Sequence, residues 1–293
     1  MTADILSKVE GPRAGRLSRL RARHGGLRPL LLGLVLPLGV IATATLVRLI
    51  VRGDPWEMAG PPLLWPGEDD QFPLGTDALG RDILTGIAAG APVSLLIGLV
   101  SAALTVGLGM TIGALGGYYG GRVDAVLMRV TELFQTVPQF ILAVVLVAII
   151  KPSVATIVIA IGVVSWPPTA RLMRAQFLAL REREFVQAAR TLGMGDWQLI
   201  RTQFLPNALP PIIVMSSLTV ALAIQTEAAL AFMGLGDPNV MTWGGMVGAG
   251  QQDLMGAWYV CGLPGLAILV TVLAFNLLGE WLNDALNPRL GER

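Results

Sequence analysis

The chain has 293 residues, of which 54% are hydrophobic and only 14% charged, and its formal net charge is +1. A soluble domain carries about 25% charged residues, so much of this chain faces something other than water, and no nucleic-acid partner is expected from so balanced a charge. The single cysteine, Cys261, excludes an intrachain disulfide, and the single histidine, His24, in an arginine-rich tail, leaves no basis for a metal site or a histidine triad.

In chain order, residues 1–28 form a basic tail, and the apolar run "PLLLGLVLPLGVIATATLVRLIV" at 29–51 reads as a first membrane span. It is too long for a signal peptide, and no small-residue cleavage site follows it. Residues 52–90, rich in Pro, Gly and acid, read as an external loop. Its first half is expected to be a linker. In its second half, Thr76 or Asp77 is expected to cap a short surface helix carrying Leu79, Ile83, Leu84 and Ile87. Five further spans of about 20 residues are placed near 91–118, 125–150, 154–166 (extending toward Arg171), 211–235 and 260–282. They make up a five-helix transmembrane domain at 91–285, with a second external element at 236–259 and a short tail at 286–293. The expected fold is an all-α polytopic membrane protein with six transmembrane helices.

Basic residues set the orientation. With the N-terminal tail inside, seventeen of the twenty-one Lys and Arg residues fall on the cytoplasmic side, leaving only Arg48, Arg52, Arg81 and Lys151 elsewhere. The external loops carry acid instead, including Asp54, Glu57, Asp69 and Asp77. Both termini are therefore expected in the cytoplasm of a bacterial inner (plasma) membrane.

On that side lies "LREREFVQAARTLGMGDWQLIRTQFLPNALPP", Leu180 to Pro211, within a loop spanning 177–208. Phe185, Ala188, Ala189 and Leu192 recur at helical spacing, and Gly193 follows as a left-handed helix end. A second short helix is expected to start at Asp196 as its cap and to carry Trp197, Leu199, Ile200 and Phe204, with Leu205-Pro206 and Pro210-Pro211 ending it. Small residues on a short, capped helix suit docking into a groove of a partner. Nucleotide energy does not come from this chain: a phosphate loop needs Gly-Lys, and the only lysines, Lys8 and Lys151, follow Ser7 and Ile150.

"QAARTLGMGDWQLIRTQFLPN" resembles the EAA loop of ABC importer permeases through Ala188, Ala189, Gly193, Leu205 and Pro206. It departs from that pattern at Gln187, where the family usually has Glu, and at Gln203. "FPLGTDALGRDILTGIAAGAPVSLLIG", "TEAALAFMGLG" and "LNDALNPRL" resemble the C-type permease subunits of dipeptide, oligopeptide and nickel importers. The resemblance implies a type I (MetI-like) permease core with a cytoplasmic coupling helix. It further implies a homologous permease subunit as partner and two ATP-binding subunits, or one fused ATPase, that bind ATP and Mg. An extracytoplasmic solute-binding protein would deliver peptides, with nickel as the alternative cargo. No cofactor is expected on this chain, and it is not expected to be an enzyme itself. Phe185, Gln187, Ala188, Ala189, Leu192, Gly193, Leu205 and Pro206 would couple it to the ATPase. Polar residues within spans mark function or helix contacts. Glu132, Gln135, Gln139, Gln225, Glu227, Asn276 and Glu280 are such residues, with Glu227, Gln225 and Gln139 named for the pathway; the alternative for each is a hydrogen bond between helices or, as for Glu280, a place near the membrane surface. A secondary transporter driven by an ion gradient would account for intramembrane Glu but not for the capped hairpin. The glycines of "MTIGALGGYYGG" are expected to pack helices closely, and Trp243 and Trp258 to anchor at the membrane surface.

Overall fold

A computed structural model describes Gly39, Ala42 and residues 53–286. The basic tail, nearly all of the first span and the last seven residues, and with them the expectations placed there, lie outside the described residues. The described residues fold into helices joined by turns. The longest, α1 (Ile83–Tyr119), starts where the Asp82 carboxylate accepts the amides of Leu84 and Thr85 at 3.1 and 3.0 Å, which satisfies two of the amides a helix start leaves free. The short surface helix expected before the second span is thus the first turns of that span's own helix, and Asp77 instead bonds the amides of Leu79 and Arg81 in a turn.

The segment before α1 is folded rather than a linker. Thr76 is fully buried, accepting from the Leu64 amide at 3.0 Å and donating to the Pro61 carbonyl at 2.5 Å. Its Trp65 ring packs on Tyr259 at 5.1 Å. The alternation of acid and glycine hid this, because the organising group is one hydroxyl among them.

At the far end of α1, Gly120 and Gly121 both take positive φ and reverse the chain into α2 (Gly121–Thr136). Val137 is extended ahead of Pro138, as proline demands of its predecessor, and α3 (Gln139–Ile150) leaves at 82° to α2. The third expected span is therefore a bent pair. The fourth is another: α4 (Val154–Ser165), capped by Ser153, meets α5 (Pro167–Arg181) at 42° with Pro167 in its first turn. Counting each bent pair as one, five spans lie among the described residues.

The hairpin follows as α6 (Glu184–Thr191) and α7 (Asp196–Leu199). α7 does not stop at the prolines. A wide turn at Ile200–Phe204, closed by the Leu205 amide on the Ile200 carbonyl, passes into α8 (Leu205–Leu230), and the whole runs 40 residues from Asp196 to Leu235. Pro206 sits in the first turn of α8, where a missing amide costs least, and Asn207 Nδ2 donates to the Gln203 carbonyl at 2.6 Å. Beyond it come α9 (Trp243–Ala249), capped by Thr242, and α10 (Tyr259–Leu286).

Two contacts hold the bundle. Gly109, Gly113 and Gly117 lie four apart on α1 and bring its backbone against α5 at Thr169, Ala170 and Phe177. The Arg174 guanidinium grips the Asp124 carboxylate with two bonds, at 2.5 and 2.6 Å, tying α5 to α2.

Candidate functional site

The hairpin is two short helices locked by one left-handed residue. Glu184 stands in the first turn of α6 and Arg190 in the last, each complementing the helix dipole. Past the C-terminus, the Met194 amide bonds the Ala189 carbonyl at 3.1 Å and the Gly193 amide bonds that of Arg190 at 3.0 Å, with Gly193 at φ 79°. This paired closure is the Schellman ending. A Cβ at Gly193 would touch nothing within 4 Å, so only backbone strain opposes a side chain there. Gly193→Val is expected to cost about 1–3 kcal/mol and to lower partner-dependent ATP hydrolysis in an assembled complex. Gly193→Asn, which tolerates this conformation, should retain most of it.

The two faces of the hairpin are chemically distinct. Val186, Ala189, Leu199 and Phe204 are buried with Tyr118, Met173 and Phe177 in one apolar cluster at this end of the bundle. Facing away from the chain are Ala188, Phe185 at 43% exposed, Leu192 at 86% and Trp197 at 75%. Ala189 thus belongs to the inner face, although its spacing grouped it with Phe185, Ala188 and Leu192. Trp197, expected on the apolar side of the second helix, stands outside. The sequence signal for the inner face was Val186, one residue off the Phe185 register.

The same stretch carries Arg181, Glu182, Arg183, Glu184 and Arg201. So many charges keep the hairpin out of hydrocarbon, and Phe185, Leu192 and Trp197 leave apolar surface exposed on it.

Gln187 is exposed, and its Nε2 donates to the Arg181 carbonyl at 2.8 Å, closing the last turn of α5. Only an amide can donate there. Gln187→Glu would set a carboxylate against that carbonyl, and a small drop in the thermal midpoint of the chain is expected, matching the loss of about 1 kcal/mol. Leu205 is partly buried and Pro206 exposed at the start of α8.

The three pathway candidates part company. Gln225 and Gln139 are exposed on α8 and α3. Glu227 is 1% exposed, with Thr242 as its polar neighbour and Oε1 without a hydrogen-bond partner. It lies where α8 meets α9, at the opposite end of the bundle from the hairpin. Trp243 is buried rather than interfacial: its Nε1 donates to the Ile87 carbonyl and its amide to Ser94 Oγ, both at 3.0 Å, fixing α9 to α1. Trp258 is exposed.

Residues 109–292 match the family described as binding-protein-dependent transport system inner membrane component. The chain is 39% identical over 264 residues to the di/tripeptide transport system permease protein DppC of Pseudomonas aeruginosa, covering 88% of this chain and 87% of that one. It is 39% identical over 218 residues to the glutathione transport system permease protein GsiD of Pectobacterium atrosepticum, covering 74% and 72%. Among solved structures, a chain of the MetNI methionine ABC transporter in an inward-facing conformation superposes with a TM-score of 0.56 at 18% identity, over 69% of this chain and 96% of that chain. At that identity the likeness is one of fold, and the fold is the all-α bundle expected from the sequence.

Proposed function

The chain belongs to the family of binding-protein-dependent transport system inner membrane components, and from that premise we propose that it is the permease subunit of an ATP-driven peptide importer. The observation that carries the coupling role is the outer face of the hairpin. Phe185, Ala188, Leu192 and Trp197 stand open in water on a scaffold that Val186, Ala189, Leu199 and Phe204 anchor from within. Such a face suits a cleft on an ATPase subunit that binds ATP and Mg, and ATP-driven closure would then move the hairpin as one piece. Arg174 and Asp124, with the glycine contact of α1 on α5, would pass the movement into the spans.

Peptide cargo is supported by the di/tripeptide and glutathione permeases that the chain resembles along most of its length. Delivery by an extracytoplasmic binding protein, pairing with a homologous permease subunit, and termini in the cytoplasm complete the reading. Gln139 and Gln225 are the residues of this chain open to a pathway between two subunits, and Glu227 would act from the interior by fixing the α8–α9 junction. The test is purification from the native membrane followed by reconstitution. An ATP-binding subunit should accompany the chain, and uptake of radiolabelled dipeptide should require both ATP and the binding protein. Uptake driven by an ion gradient without any ATPase would overturn the reading.

A further inference from the structure

Tyr118 stands apart in the cluster beneath the hairpin because one side chain touches all three pieces of it. It is the penultimate residue of α1 and is 5% exposed. Its phenol donates to Asp196 Oδ1 at the start of α7, at 2.7 Å across 78 positions of sequence. Its ring meets Phe204, in the wide turn, edge-on at 5.2 Å, and the Arg190 guanidinium of α6 lies over the same ring at 5.7 Å. Asp196 was expected to cap α7. The cap position belongs to Gly195, and the carboxylate bonds Tyr118 instead.

What Tyr118 is attached to gives this contact its reach. α1 is 37 residues long, about 55 Å at 1.5 Å per residue, and its glycine face is pressed on α5 at Gly109, Gly113 and Gly117. Its last turns are therefore tied to α5, and the helix continues past Pro92 to Ile83 without a break. At the other end, Asp82, Ile83 and Gly86 form part of the wall of a cavity of about 360 Å³, which Trp56, Met246 and Asp253 also line. One helix thus joins the hairpin to a chamber at the opposite end of the bundle.

We propose that Tyr118 is the positioning residue through which movement of the hairpin is delivered to α1, and by α1 to that chamber. The proposal rests on the reading of the hairpin as the ATPase docking element. Its physical content is a contact that both ends bias through one continuous helix, with the hydrogen bond to Asp196 as the part that prevents slip.

The experiment uses the assembled transporter, with Cys261→Ser in the chain and spin labels at Leu79 and Met255, which are exposed at the chamber end. Distances are read without nucleotide and after trapping with Mg-ATP and vanadate. The unsubstituted Tyr118 chain should show a nucleotide-dependent change. Tyr118→Phe keeps the ring contacts and should lower the thermal midpoint only slightly, by the worth of one hydrogen bond, and keep the bound ATPase, yet lose most of that change. Asp196→Ala should lose it equally, and the double variant no further, since both remove one bond. Hydrolysis should become uncoupled from the distance change by about fivefold or more. An unaltered distance change in Tyr118→Phe, or no change in the parent chain, overturns the proposal while leaving docking intact. Failure of the parent chain to hold an ATPase overturns the docking reading and the proposal with it.

Discussion

Gly113→Val is expected to leave almost no folded chain in the membrane. A Cβ at Gly113 would stand 2.3 Å from the Ala170 carbonyl oxygen and 2.7 Å from Met173 Cβ. The oxygen belongs to the backbone of α5, so no rotamer change relieves the contact and the two helices must part. Overpacking a well-filled site costs about 1–3 kcal/mol and sometimes more. Here the separation also weakens the neighbouring contacts of Gly109 on Thr169 and Gly117 on Phe177. Against a total stability of about 5–15 kcal/mol, a loss spread over three such contacts is decisive. Gly107 supplies the control: it lies in the same helix, and a Cβ there meets nothing within 4 Å. Gly107→Val should give monodisperse protein at parental yield in size-exclusion chromatography. Equal yields from the two variants would refute the packing argument.

Leu192→Glu should separate folding from coupling. Leu192 is 86% exposed and contributes little to the interior of the chain, so the thermal midpoint of the isolated permease should stay where it is. If the residue enters a cleft on the ATPase, burying it is worth about 1.5–3 kcal/mol, and a carboxylate there carries a further desolvation cost. Affinity should fall by at least about tenfold to a hundredfold, seen as loss of the ATPase during purification and loss of ATP-dependent uptake. Trp197→Glu should act in the same direction through the neighbouring exposed position. Retention of full coupling by both variants would remove the outer face from the docking surface.

Much of this architecture was legible because membrane spans and helix ends have local causes. The apolar runs, the Gly193 helix end and the close-packing glycines at 113 and 117 follow from length, φ and the missing Cβ, each a property of a few adjacent residues. Partition of the hairpin's apolar residues between two faces was not legible. A helical period identifies a stripe but not what covers it, and Phe185, Ala188 and Ala189 satisfy the same spacing whether they meet the chain or a partner. Proline was read as a stop at 206 and 210–211, yet Pro206 falls just past the wide turn in the first turn of α8, and Pro210 and Pro211 lie inside α8 without ending it. Asp196 looked like a cap because its partner, Tyr118, lies 78 residues away. Trp243 looked interfacial for the same reason: Ile87 and Ser94, which bind it, are more than a hundred residues upstream.

The corner between α2 and α3 has a consequence for what can surround the chain. It falls near the middle of the stretch at 121–150, which its 82° bend makes a broken span or a re-entrant loop. A helix end leaves up to four carbonyls, and a helix start up to four amides, without partners. Thr136 Oγ1 donates to the Leu133 carbonyl at 2.7 Å and the Leu142 amide reaches the Pro138 carbonyl at 3.1 Å, which satisfies only part of that demand. Acyl chains can neither donate nor accept, and irregular backbone at membrane depth survives only against protein or water. Oil is therefore the wrong solvent for this corner, where the Gln139 amide is also exposed. At membrane depth such a corner needs protein or water beside it, and a bilayer alone would not complete the molecule.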